Sequence, residues 1–192
     1  MTQGSSATKG DVMVLLGTRK GAFILSSGKS RKNWQVSGPH SPGSEVFHLS
    51  YDHREGGTVL AAVNHMIWGP TVQRSRDLGT TWLSPQEPSR FTSGAAETID
   101  QVWHLEPGRE GEPGVVYLGV APAGLFKSDD YGSIWQEVAS LSKHPSRDQW
   151  QPGLGGLCLH SIVLDPADAS RMWVGISAVG VFGTTDSGET WT

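Results

Sequence analysis

The sequence predicts an all-β protein, a β-propeller of four-stranded antiparallel blades with about four blades present and the ring incomplete. Three observations predict it. An octapeptide returns three times at near-constant spacing, short apolar segments alternate with polar turns, and the 25 glycines and eight tryptophans are in excess of an average domain in a way the repeat explains. The octapeptide reads Ser/Thr-x-Asp-x-Gly-x-x-Trp, with Ser75, Asp77, Gly79 and Trp82 in the first copy, Ser128, Asp130, Gly132 and Trp135 in the second, and Thr184, Asp186, Gly188 and Trp191 in the third. A degenerate copy, SGKSRKNW, keeps Ser27 and Trp34 but has Lys29 and Arg31 in place of Asp and Gly. The four tryptophans recur about every 50 residues, a period suited to one four-stranded blade.

Each element of a blade follows in order. The inner strand is read from Val46-Phe-His-Leu49, Val102-Trp-His-Leu105 and Leu159-His-Ser-Ile162. Polar turns come next, DHREGG, GREGEPG or DPADAS, and then second strands TVLAAV, VVYLGV and MWVGIS. Third strands TVQRS, GLFKS and GVFGT run into the octapeptide, whose Trp opens the fourth strand. Gly, Pro and Asp punctuation without 3.6-residue periodicity supports strands throughout. In the octapeptide, the Asp and Ser/Thr oxygens suit turn amides that a sheet leaves unpaired, Gly suits a positive φ, and Trp suits burial between sheets. In the first blade, VMVLLGT (12–18), AFILSS and NWQV correspond to strands two, three and four, so its innermost strand is missing.

The octapeptide at this spacing resembles the Asp-box or BNR repeat, found in the propellers of sialidases, xyloglucanases, sortilin-type receptors and a photosystem II assembly factor. The resemblance spans roughly residues 12 to 192. It implies six or more blades, hence a chain of roughly 300 to 350 residues. Residues 1–11 then read as a flexible tail, and 12–192, with blades at about 12–37, 45–84, 101–140 and 159–192, as the N-terminal part of a longer propeller. It also implies that Asp77, Asp130 and Asp186 are turn residues on the face away from a binding site, not catalytic acids.

Strand parity places the first-to-second and third-to-fourth connections on one face with the octapeptides, and the remaining connections on the other. That opposite face collects Arg19 and Lys20, His40 and Glu45, His65 to Trp68, Arg90, Glu97 and Asp100, Pro122, and the segment His144 to Leu157. Within the last, His144, Arg147, Asp148, Gln149, Trp150 and Gln151 stand together ahead of Gly-rich backbone. A tryptophan beside polar groups suits a glycan, peptide or protein ligand; equally, Trp150 suits packing on a neighbouring blade while Arg147 and Asp148 pair locally. The ligand-binding candidates are therefore Arg19, His65, Trp68 and residues 144 and 147–151.

Two functions follow. A ligand-presenting propeller requires only a rigid scaffold and one face of Trp, His and Arg on long loops, and is the preferred reading. The alternative, implied by the resemblance, is a glycoside hydrolase acting through paired carboxylates, with Asp100 and Asp148 the available candidates beside Glu45 and Glu97. A true sialidase is disfavoured: no Phe/Tyr-Arg-Ile/Val-Pro segment stands near the N-terminus, and Tyr51, Tyr117 and Tyr131 map to strands or to the octapeptide side. His48 and His104 occupy equivalent inner-strand positions suited to inter-blade packing, and His160 falls opposite Phe47 and Trp103 in an aromatic slot.

Composition excludes other classes. With 15 basic against 19 acidic residues, a net charge of -4 and no long charge run, neither a nucleic-acid nor an anionic-membrane surface is expected. Cys158 is the only cysteine, so no intrachain disulfide forms, a buried inert thiol is expected, and a reduced cytoplasmic setting follows. No signal peptide or membrane-length apolar run is seen. No metal is expected, because the histidines show no ligand spacing, and no cofactor, because GLGGL lacks a surrounding βαβ unit.

Overall fold

The computed structural model describes residues 11–96 and 98–192. It is almost entirely strand. The first sheet is β1 (Val12–Thr18), β2 (Gly21–Ser27) and β3 (Trp34–His40), and the second is β4 (Glu45–Asp52), β5 (Thr58–His65) and β6 (Gly69–Ser75). The third is β7 (Gln101–Pro107), β8 (Val116–Ala121), β9 (Gly124–Ser128) and β10 (Gln136–Glu137). After one helical turn, α1 (Ala139–Ser142), the fourth is β11 (Leu159–Leu164), β12 (Met172–Ile176) and β13 (Gly180–Thr184). Every sheet is an antiparallel meander in chain order. Contacts run from each sheet to the next, and the row does not close into a ring.

The first sheet supplies strands two to four. β2 ends at Ser27 just as β6, β9 and β13 end at the octapeptide residues Ser75, Ser128 and Thr184. Gly17 on β1 and Gly119 on β8 take the same place against the following sheet. A Cβ on either would fall 2.4 Å from a carbonyl oxygen, of Val46 and Leu159 respectively.

The fourth strands of the second and third sheets are shorter than the repeat suggests, whereas that of the first, β3, runs seven residues. In the second sheet the strand shrinks to one bridge between Arg74 and Leu83, and in the third it spans two residues. The cause in the second sheet is chemical. Pro85 stands where Val138 stands in the third, and proline lacks the N–H that Val138 donates to Leu125 O at 2.9 Å.

The octapeptide turns share one geometry. Ser75 Oγ donates to Asp77 Oδ1 (2.8 Å) and accepts from the Gly79 amide (2.8 Å), while Asp77 accepts from the Thr81 amide and hydroxyl at 2.8 and 2.7 Å. Asp130 and Asp186 repeat this with the amides of Ser133 and Ile134 and with Thr190. Leu78 and Gly79 both have positive φ, 51° and 89°. In the degenerate copy Arg31 takes the glycine's place at φ 55°, and Trp34 Nε1 still donates to its carbonyl at 3.1 Å, as Trp82 Nε1 does to Gly79. Thr190 and Thr184 hold the Asp186 carboxyl down at about 2. For Asp77 burial pushes upward, but the bonds from Thr81 and Ser75 outweigh it and lower the pKa.

Cores lie between sheets. Leu60, Ala62 and Val72 of the second pack with Leu105, Val116, Leu118, Val120, Phe126 and Trp135 of the third. Leu125 and Tyr117 of the third join Leu159, Ile162, Met172, Val174 and Phe182 of the fourth. Each fully buried aliphatic or aromatic chain contributes about 1.5–3 kcal/mol.

The inner strands carry a bulge at one repeat position, where Phe47, Trp103 and His160 are the extra residues. Phe47 stacks on Trp103 at 4.5 Å, and His48 on His104 at 4.4 Å. His160 departs from the aromatic slot expected for it: it is exposed, with Nδ1 2.8 Å from Ser161 Oγ. His48 Nδ1 accepts the Leu105 amide (3.1 Å), and burial together with the neighbouring His104 lowers its pKa to about 4, Glu106 opposing.

Acid sensitivity follows in two windows. A histidine depressed on folding stabilises the folded state when neutral, so the His48 contribution is complete above pH 6.5 and declines as pH falls toward about 4. The Asp186 contribution is complete above pH 3.8 and is lost as pH falls through about 2. Urea midpoints measured from pH 7 downward are expected to fall in both windows. His48→Gln should flatten only the upper one.

Candidate functional site

The octapeptide end is built for connection. The Tyr131 amide donates to Gly114 O and the Ser187 amide to Ser170 O, tying each turn to the first-to-second turn of its own sheet. Arginines link neighbouring sheets at this end. Arg54 forks onto Asp52 at 2.7 and 2.6 Å, then reaches Arg109 O and Val115 O, both at 2.8 Å, and Glu112 O. Arg109 in turn reaches Asp165 O (2.8 Å) and Arg171 O (2.6 Å). Sequence reading passed over these residues, although each lies in a corresponding turn, DHREGG or GREGEPG, and that shared placement was the available signal.

At the opposite end two depressions flank the β5–β6 hairpin tip. One, of about 580 Å³, is lined by Arg19, Glu45, Asn64, His65, Met66, Asp100 and Gln101, contributed by three successive sheets. Arg19 Nε lies 3.1 Å from Glu45 Oε1. Asn64 bridges to the third sheet with both amide atoms, donating to Val102 O (3.0 Å) and accepting its N–H (2.8 Å). His65 Nδ1 accepts the amides of Ile67 and Trp68 at 3.0 and 3.1 Å and so shapes the tip. The tip leaves Met66, Ile67 and Trp68 at 96%, 76% and 83% exposure.

The second depression, of about 430 Å³, lies between β6 and the connection 84–100, with Trp68, Pro85, Pro88, Arg90 and Ile99 among its walls and Val72 and Val102 at its floor. Glu137 anchors that connection, accepting the amides of Thr92 and Ser93 at 2.7 and 2.8 Å and both hydroxyls. Burial pushes the Glu137 carboxyl upward, yet hydrogen bonding, from Ser142 first and then from Ser93 and Thr92, prevails and lowers it.

The structure thus brings Arg19, His65, Glu45 and Asp100 together, with Trp68 on the other flank of the tip. The candidates from His144 to Gln151 line neither depression. Trp150 is 7% exposed, packed against Phe182 at 5.0 Å and covered by the Arg147 guanidinium at 4.6 Å; its enclosed ring offers no open platform. Arg147 also donates to Ala123 O (2.7 Å), and burial lowers its pKa against the pull of Glu137. His144 stacks beside Trp150 and Phe182, while Asp148, Gln149 and Gln151 are exposed. Glu97 lies outside the described residues. His40 is a correction: it packs on Gly79 and Trp82 of the first octapeptide, its ring 5.5 Å from Trp82, because sheet twist carries the far end of β3 toward the next turn. Cys158 is buried, and burial pushes its thiol up against a bond from Ser177. Among the described residues no group of three or more His, Cys, Asp or Glu side chains is placed to hold a metal ion.

Solved structures share this architecture. The GH74 xyloglucanase from Xanthomonas campestris superposes with a TM-score of 0.65 at 19% identity, over 98% of this chain and 30% of that one. YCF48 from Cyanidioschyzon merolae superposes at 0.58 with 12% identity, over 92% and 52%. The fold is a β-propeller. The chain spans less than two thirds of either neighbour, and at these identities the likeness concerns fold alone. No protein-family model and no curated protein matches the chain. Among the described residues no helix of the propeller is long and apolar enough to cross a membrane.

Proposed function

We propose that this chain is part of an Asp-box repeat propeller whose face opposite the octapeptide turns binds a glycan or peptide, in a cytoplasmic setting. The observation that carries the reading is the convergence of loops from three blades on one depression that holds Arg19, Glu45, Asn64, His65 and Asp100 beside an exposed Met-Ile-Trp tip. Convergent polar groups next to an exposed aromatic fix the orientation of a ligand while burying its apolar surface. The exposed polar residues Asp148, Gln149 and Gln151 extend the same face.

Hydrolysis is supported by a single observation, that two carboxyl groups, Glu45 and Asp100, line the same depression. Against it, Glu45 is engaged by Arg19, an arrangement that suits holding a ligand better than attacking one.

Calorimetric titration with xyloglucan oligosaccharides and with a set of capped decapeptides tests the proposal. Saturable binding to one class is expected, weakened about tenfold or more by Arg19→Ala and by Asp100→Asn. Release of reducing ends that Asp100→Asn abolishes would establish the hydrolase instead. Binding that survives both substitutions unchanged would remove the depression from consideration.

A further inference from the structure

The second depression has a geometry that the binding face does not require. Arg74 on β6 exchanges both backbone hydrogen bonds with Leu83, each at 2.9 Å, so its N–H and C=O point to the outer edge of the blade. Pairing alternates along an antiparallel strand, and β6 runs against β5 without a register shift. The N–H and C=O of Val72 therefore point to the same outer edge. Among the described residues neither has a strand partner; the carbonyl receives only the Thr71 hydroxyl at a long 3.4 Å. Val72 is 2% exposed and forms part of the cleft floor, so these are nearly buried backbone groups at the bottom of an open cleft. Groups of that kind are costly unless paired.

The third blade shows what fills the corresponding place. There the chain continues past Gln136 and Glu137, and Val138 donates its amide to Leu125, the residue equivalent to Val72. In the second blade Pro85 stands at that step, and the chain turns away so that the Gln86 amide pairs with Ser133 of the next blade. The wall opposite β6 is held off by Glu137 and by Phe91, which packs edge-on against Phe126 at 5.3 Å. The outer-strand position is thus kept open as a cleft of about 430 Å³, within the range of ligand sites.

We propose that an extended peptide segment of a partner protein docks in this cleft as the outer strand of the second blade, antiparallel to β6 and continuous with the Arg74–Leu83 pairing. Its backbone pairs with Val72. The residue at that step is aliphatic, as Val138 is, and lies toward Ile99 and Val102. Glu87 and Arg90 on the rim select polar residues flanking it, and Trp68 covers the far end. This is strand addition, in which main-chain bonds supply affinity and alternate side chains supply specificity.

The test uses the full chain and, as probe, the capped hexapeptide VASLSK, residues 138–143 of the third blade, which starts at the step opposite Val72 and leaves the place opposite Arg74 to Leu83. Amide hydrogen exchange followed by NMR is expected to slow about tenfold or more at Val72 on saturation, with no change at Leu125. A second peptide, N-methylated at its valine, removes the donor to Val72 O and is expected to bind at least about tenfold more weakly. The proposal is overturned if the probe does not bind at millimolar concentration, if Val72 exchange is unmoved, or if the N-methylated peptide binds equally well. Because the readout sits at Val72, its failure leaves the reading of the Arg19 and Asp100 depression untouched.

Discussion

Replacing Arg54 with alanine is expected to lower the unfolding free energy by about 3–5 kcal/mol, the cost of breaking a buried ion pair from one side. The side chains of Arg54 and Asp52 are 5% and 1% exposed. Removal of the guanidinium strands the Asp52 carboxylate and unpairs the carbonyls of Arg109, Glu112 and Val115 in the next blade. Repayment by water is limited because the site is enclosed. For a chain of this length the loss corresponds to about 2–4 °C per kcal/mol, measurable by thermal or urea unfolding followed by circular dichroism. The paired substitution Asp52→Leu with Arg54→Met removes both charges and is expected to recover a large part of the loss, since well-packed apolar replacements are often neutral. A loss below about 1 kcal/mol for Arg54→Ala would place the pair among ordinary surface salt bridges and remove it as a blade connector.

Phe126→Ala is expected to cost a similar amount, about 3–5 kcal/mol. Phe126 is fully buried in the core cluster that holds Leu60 of the second blade and Leu118 of its own, and its loss leaves a cavity in the interface that joins the two. The urea midpoint should fall with an unchanged slope, the signature of lost packing in an otherwise unaltered folded state. Phe126→Leu keeps most of the volume and is expected to cost less than half as much. The two changes also differ in reach. Phe91 rests on the Phe126 ring, so Phe126→Ala should raise exchange rates in the connection 84–100, whereas Arg54→Ala acts at the other end of the blades.

Much of the scaffold was legible because its determinants are local. Asp77, Asp130 and Asp186 bond to amides within four residues, and Gly79 answers to its own φ, so an octapeptide carries the whole turn. The same locality explains why Arg31 was harder to read: a non-glycine residue adopts the glycine's conformation while the Trp34 bond to its carbonyl is retained. The candidate site was legible only in part. Parity put Arg19, His65 and Asp100 on one face, but it placed His40 there as well, since parity takes no account of twist. The exposure of Trp68 and the enclosure of Trp150 could not be told apart from two tryptophans in two polar loops; contacts with Phe182 and Arg147 decide between them.

By itself the sequence determined the repeat, the strand order within each blade, the turn chemistry and the end of the molecule on which long loops gather, because each depends on residues close along the chain. Tertiary structure alone decided which loops meet, which ring is buried, how Arg54 and Arg109 join successive blades, and that the edge of β6 stays unpaired at Val72 among the described residues. Those outcomes rest on contacts between residues about 25 to 60 positions apart, whose energies depend on distance and burial in three dimensions and leave no fixed spacing in one.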